Sequence, residues 1–98
     1  MKQSIPLTAD EQATVDLLPS LNLSNLARVI RKNWRPVYFG AVPYLDALSS
    51  MDKIEDPYYA DSGKSVVLYF LCNAQTWKGP IARAVKAELN KRAKACKN

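Results

Sequence analysis

The chain of 98 residues contains no histidine. Histidine is the commonest metal ligand in proteins and the usual general base near neutral pH, so its absence removes the simplest routes to metal and acid–base chemistry. The two cysteines, Cys72 and Cys96, match neither a zinc-site spacing nor the disulfide framework of a small secreted protein. We therefore predict two thiols, no cofactor and no enzyme activity.

Long apolar runs are also missing. The longest, Val66 to Cys72, has seven residues, whereas a membrane-spanning helix needs about twenty. The segment from Met1 to Glu11 becomes polar and acidic where a secretory signal would be apolar. An apolar fraction of 48% is nevertheless typical of a folded domain. These features predict one globular domain in the cytoplasm, with no membrane association and no small-molecule substrate.

Glycine is scarce, and its positions argue against a phosphate-binding loop. The stretch Ser62-Gly63-Lys64-Ser65 resembles the end of such a loop, but the motif requires a further glycine where this chain has Tyr58. Asp61 or Ser62 instead suits the N-cap of a helix. The acidic residues of segment 52–61 lack the ligand spacing and the central glycine of a calcium loop. We predict an acidic surface loop there.

Charge, by contrast, is abundant and segregated along the chain. The formal net charge is +5, and the consecutive blocks 1–27, 28–44, 45–62 and 63–98 carry −2, +4, −4 and +7. No acid interrupts the second block. Cationic blocks favour an acidic partner, and blocks of opposite sign can also pair within one fold or between copies.

Local signals predict two helices in the first third of the chain. Thr8 and Glu11 have the spacing of a capping box, which predicts a short helix from Ala9 to Leu18. A second helix follows Asn22 as its cap and ends before Pro36. Its cations lie beside an apolar stripe of Leu23, Leu26, Ala27, Ile30 and Trp34.

The remaining helices follow from proline positions and apolar periodicity. Pro43 suits the first turn of a third helix, because its missing N–H costs nothing there. The run Ser65 to Cys72 suits a buried strand or a buried helix, but a strand needs neighbours and only Val37 to Phe39 offers one. We therefore predict a central helix from Ser62 to about Thr76, buried on nearly all sides. A last helix starts at Pro80, with a buried stripe of Ile81, Ala82, Val85, Leu89 and Ala93.

The predicted fold is all-α. Residues 1–98 form a compact single-domain bundle of four to five helices, with a flexible N-terminal tail at residues 1–7 and the acidic loop at residues 52–61.

Cations next to the helical stripes are candidate contacts for an acidic partner. The two helices around the turn from Thr76 to Gly79 have the outline of a helix–turn–helix, although hairpins of this kind are common in proteins that bind nothing. Cations beside Trp34 and Trp77 also suit single-stranded nucleic acid, where rings stack on bases, while both indoles fit a structural role equally. The candidate contact residues are Arg28, Arg31, Lys32, Arg35, Lys78, Arg83, Lys86, Lys94 and Lys97.

Three stretches, Val37 to Leu45, Asp61 to Ser65 and Asn73 to Gly79, resemble small hypothetical proteins of bacteria and of their phages and plasmids. The resemblance implies a bacterial or mobile-element origin and an accessory protein rather than a metabolic enzyme. We expect a non-catalytic protein that binds nucleic acid through its basic C-terminal helix. The alternative is a protein-interaction module that self-associates or inhibits a host factor.

Overall fold

The computed structural model describes residues 7–58 and 61–96, and it shows the all-α bundle that the sequence predicts. Its helices are α1 (Ala9–Leu17), α2 (Leu23–Asn33), α3 (Val42–Ser49), α4 (Gly63–Cys72) and α5 (Pro80–Ala95). Two 3-10 turns, Leu18–Ser20 and Phe39–Ala41, precede α2 and α3. The predicted flexible tail, residues 1–7, lies outside the described residues except for Leu7.

Three predicted helix caps are confirmed. The Thr8 hydroxyl accepts from the Glu11 N–H at 3.1 Å, and the Glu11 carboxylate accepts from the Thr8 N–H at 3.0 Å. Asn22 and Ser62 each accept, through their side-chain oxygen, from the backbone N–H three residues further on, at 2.9 and 3.0 Å. These caps satisfy N–H groups that have no partner inside the helix, so the sequence determines where α1, α2 and α4 begin.

The core lies between α2, α3, α4 and α5, and α1 packs across α5. Every residue of the stripes predicted for α2 and α5 is buried. Among the described residues, no polar or charged side chain is buried with them. No described helix is long and apolar enough to cross a membrane.

Helix α4 departs from the prediction in length and in burial. It ends at Cys72 rather than near Thr76: the Asn73 N–H donates to two carbonyls of the last turn, and the chain then bends. The bend takes Ala74 and Trp77 into the core. The expectation of burial on nearly all sides is also wrong, since Tyr69 is 50% exposed on the outer face of α4.

Two tryptophans join the end of α2 to the turn between α4 and α5. The indole rings of Trp34 and Trp77 stack with 5.4 Å between centroids and 8° between planes. The Trp77 Nε1–H donates to the Asn33 carbonyl at 3.2 Å. Both rings are buried, so they are structural and present no face to a nucleic acid base. We call the part of the bundle formed by residues 32–44 and 69–83 the tryptophan end.

The acidic loop lies at the other end of the bundle. The N–H groups of Leu23 and Ser24, at the start of α2, donate to loop carbonyls at 3.0 and 2.9 Å. At the start of α4, the Gly63 N–H donates to the Asp56 carbonyl at 3.1 Å. Residues 52–56 lie outside the helices, and the buried side chain of Ile54 anchors this segment. A short antiparallel strand pair follows, Pro57–Tyr58 with Asp61–Ser62, which the sequence did not predict.

Candidate nucleic-acid interface

Helix α2 and the residues after it present four candidate cations to solvent. Arg28, Lys32 and Arg35 are exposed and make no ion pair within the described residues. Arg31 differs, because its guanidinium forms an ion pair with the Asp46 carboxylate of α3. Both partners are largely exposed, so solvent screens the pair and it stabilises the fold little. It does, however, neutralise one cation of the set.

On α5, one candidate cation is turned inward. The helical wheel places Lys86 on the outer face with Arg83 and Lys94, and those two are exposed. The Lys86 Nζ instead donates to the Ala74 carbonyl at 2.8 Å and to the Trp77 carbonyl at 2.6 Å. Burial lowers the pKa of Lys86, and the positive charge of Lys78 lowers it further. Lys86 thus holds the turn after α4 and has few donors left for a ligand.

The cations of α5 are divided between the two ends of the bundle. The Lys64 Nζ donates to the Cys96 carbonyl at 3.2 Å, so the end of α5 lies beside the start of α4. Arg83 therefore belongs to the tryptophan end, and Lys94 lies about 16 Å away along the helix axis, beside the acidic loop. The connection between α4 and α5, residues 73–79, is longer than the three- or four-residue turn of a helix–turn–helix. Lys97 lies outside the described residues.

An open cleft of about 570 Å³ lies between α1, the C-terminal part of α2 and the start of α5. Lys32 lines this cleft together with Asp10 and Glu11, so this cation faces acids of the same molecule. The cleft residues do not include a cysteine or a serine that could act as a nucleophile. Within the part of the chain that the structure describes, no group of three or more acidic or cysteine side chains could hold a metal ion.

Three exposed cations of the tryptophan end have no acid nearby in sequence. Arg35 follows Trp34, Lys78 follows Trp77, and Arg83 lies in the first turn of α5. The two segments that supply them, residues 17–45 and 62–87, contain no aspartate or glutamate. Stacking of the two indoles therefore brings two acid-free segments together. The result is an end of the bundle to which both segments contribute exposed cations.

The same end carries exposed aromatic rings that sequence reasoning missed. We call Tyr38, Phe39, Tyr44 and Tyr69 the aromatic face; Tyr44 is half-buried against the core, and the other three are exposed. Phe39 is 80% exposed, and its ring centroid is 4.9 Å from that of Tyr38. The Tyr44 and Tyr69 centroids are 5.5 Å apart. The available signal was the position of Tyr38 and Phe39, which are apolar but lie outside every helical stripe.

Close packing around Gly40 connects the aromatic face to the end of α4. A Cβ atom at this position would lie 2.6 Å from Cε2 of Tyr38 and 2.9 Å from Oδ1 of Asn73. The Tyr38 ring therefore lies next to the residue that ends α4. The adjacent carbonyl, of Ala74, accepts from the Lys86 Nζ near Lys78. Tyr38, the end of α4 and Lys78 thus lie close together at the tryptophan end.

Comparison with protein-family models, with curated proteins and with solved structures gives no match to this chain.

Proposed function

We propose that this protein binds nucleic acid through the tryptophan end. The observation that carries the proposal is the set of exposed cations Arg35, Lys78 and Arg83 on acid-free segments, at the end opposite the acidic loop. Nucleic acid presents closely spaced phosphates, and lysine and arginine that neutralise them release bound counterions. Clustered cations also raise the local positive potential, which attracts such a partner.

This surface differs from the basic C-terminal helix expected from the sequence. The C-terminal half of α5 holds Lys91 and Lys94, which lie at the loop end. Lys86, between the two groups, is bonded to carbonyls. The row of cations along α5 is thus interrupted at Lys86, whereas the tryptophan end combines cations from two segments of the chain.

The test compares charge reversal at the two ends. One variant carries Arg35→Glu, Lys78→Glu and Arg83→Glu; its control carries Lys53→Glu, Lys91→Glu and Lys94→Glu, which changes the net charge equally. We expect the first to lose affinity for a labelled oligonucleotide, measured by fluorescence anisotropy, about tenfold more than the control. In the wild type, log K should fall against log salt concentration with a slope of about −2 for a single strand that contacts three cations.

Two results would contradict the proposal. If both variants lose affinity equally, net charge alone attracts the oligonucleotide and the tryptophan end is not the site. If the wild type binds no oligonucleotide at low salt, the protein does not bind nucleic acid.

Self-association is a second candidate function, favoured by the separation of charge between the two ends. The acidic loop of one copy could dock head to tail on the tryptophan end of another, through a heterologous contact. Sedimentation velocity at low and high salt tests this. We expect salt-sensitive association if the contact forms, and a monomer in both conditions would reject it.

A further inference from the structure

We propose that the ligand is a single-stranded nucleic acid whose bases stack on the aromatic face. This inference rests on the proposed function and specifies the ligand class. Cations supply affinity for phosphates in any nucleic acid, whereas exposed rings can contact only bases whose faces are open. In a duplex those faces are covered by neighbouring bases.

The aromatic face is held in place and open to solvent. Phe39 begins a 3-10 turn in which the Ala41 N–H donates to the Tyr38 carbonyl at 2.9 Å. Ala41 is fully buried, so it anchors the turn in the core while Phe39 remains 80% exposed. A ring presented from an anchored turn loses little conformational entropy when a ligand binds.

The ring geometry leaves faces accessible for stacking. The Tyr38 and Phe39 planes are tilted by 58°, and those of Tyr44 and Tyr69 by 42°. Neither pair is stacked face to face, unlike the parallel rings of Trp34 and Trp77 in the core. The 50% exposure of Tyr69 agrees with an open face on α4 as well.

Charge complementarity indicates which ligand binds to the aromatic face. Aromatic rings alone would suit many apolar partners, but here they lie at the same end of the bundle as the exposed cations Arg35, Lys78 and Arg83, on segments without an acid. A ligand that satisfies both features has apolar planar groups joined by closely spaced negative charges. A single-stranded nucleic acid has this chemistry, with bases for the rings and phosphates for the cations.

The experiment separates stacking from charge with three labelled probes: an oligothymidylate, an abasic strand of equal length, and a hairpin duplex. Affinities are measured by anisotropy for the wild type, for Phe39→Ala and Tyr69→Ala, and for Leu17→Ala as a control. Leu17 is a large exposed apolar residue in the last turn of α1, outside the tryptophan end. Far-UV circular dichroism checks that each variant is folded.

We expect the wild type to prefer the oligothymidylate to both other probes. Phe39→Ala should weaken oligothymidylate binding roughly 5- to 150-fold, which corresponds to a loss of one stacked base. Its affinity for the abasic strand and the duplex, and its salt dependence, should equal those of the wild type. Leu17→Ala should bind every probe as the wild type does.

The outcomes distinguish this inference from the proposed function. If the abasic strand binds as tightly as the oligothymidylate, or if neither ring variant weakens binding, stacking is refuted while nucleic-acid binding stands. If no probe binds the wild type at low salt, both proposals fail. If Phe39→Ala abolishes a dimer in sedimentation and leaves oligothymidylate binding unchanged, the aromatic face is a contact between copies and the inference is overturned.

Discussion

Replacing Trp77 with alanine should strongly destabilise the domain. The side chain is 3% exposed, stacks on Trp34 and donates to the Asn33 carbonyl. Truncation of a buried tryptophan to alanine costs about 3–5 kcal/mol. The aromatic pair accounts for about 0.5–1.5 kcal/mol of this, and the hydrogen bond contributes about 1 kcal/mol net. Since domains of this size are stable by about 5–15 kcal/mol, a loss of this size is a substantial part of the total.

The assay is urea unfolding followed by far-UV circular dichroism, with Trp77→Phe as the matched control. The control keeps a ring against Trp34 but has no N–H donor, so we expect a loss of about 1–2 kcal/mol. Each kcal/mol should lower Tm by about 4–8 °C in a domain of this length. The difference between the two variants then measures the packing of the aromatic ring that phenylalanine retains.

Two measurements could refute the structural reasoning. If Trp77→Ala is within about 0.5 kcal/mol of the wild type, the stack does not hold the tryptophan end together. A double-mutant cycle with Trp34→Ala should give a coupling energy of about 0.5–1.5 kcal/mol. Zero coupling would show that the two rings do not interact in solution.

Two further substitutions test contacts that sequence alone does not reveal. Lys86→Met should destabilise the fold by about 1–2 kcal/mol in thermal melts, because two carbonyls at the α4–α5 turn lose a donor. The exposed control Arg83→Met should stay within about 0.5 kcal/mol of the wild type. Equal losses in the two variants would count against the inward position of Lys86. Gly63→Ala should destabilise the fold by about 1–3 kcal/mol in urea unfolding, because the new Cβ atom would collide with the Ile54 carbonyl. A stabilised variant would mean that the higher helix propensity of alanine outweighs this collision.

Much of the fold was predictable because its signals are local. The capping box of Thr8 and Glu11 and the side-chain caps at Asn22 and Ser62 involve residues three positions apart. The buried stripes of α2 and α5 depend only on the helical repeat, and every residue predicted for them is buried. The end of α4 was misjudged because the contact that bends the chain, between Trp77 and Trp34, joins residues far apart in sequence.

The candidate site was less predictable, because the sequence locates its cations but not their partners. The sequence alone determined the helices, their starts, the buried stripes and the segregation of charge along the chain, since each depends on neighbouring residues. Only the tertiary structure decided that Lys86 binds carbonyls, that Arg31 pairs with Asp46, and that Phe39 remains in solvent. The physical reason is that exposure and pairing depend on which segments pack together. A local pattern fixes the face of a helix on which a residue lies, but not what lies opposite that face.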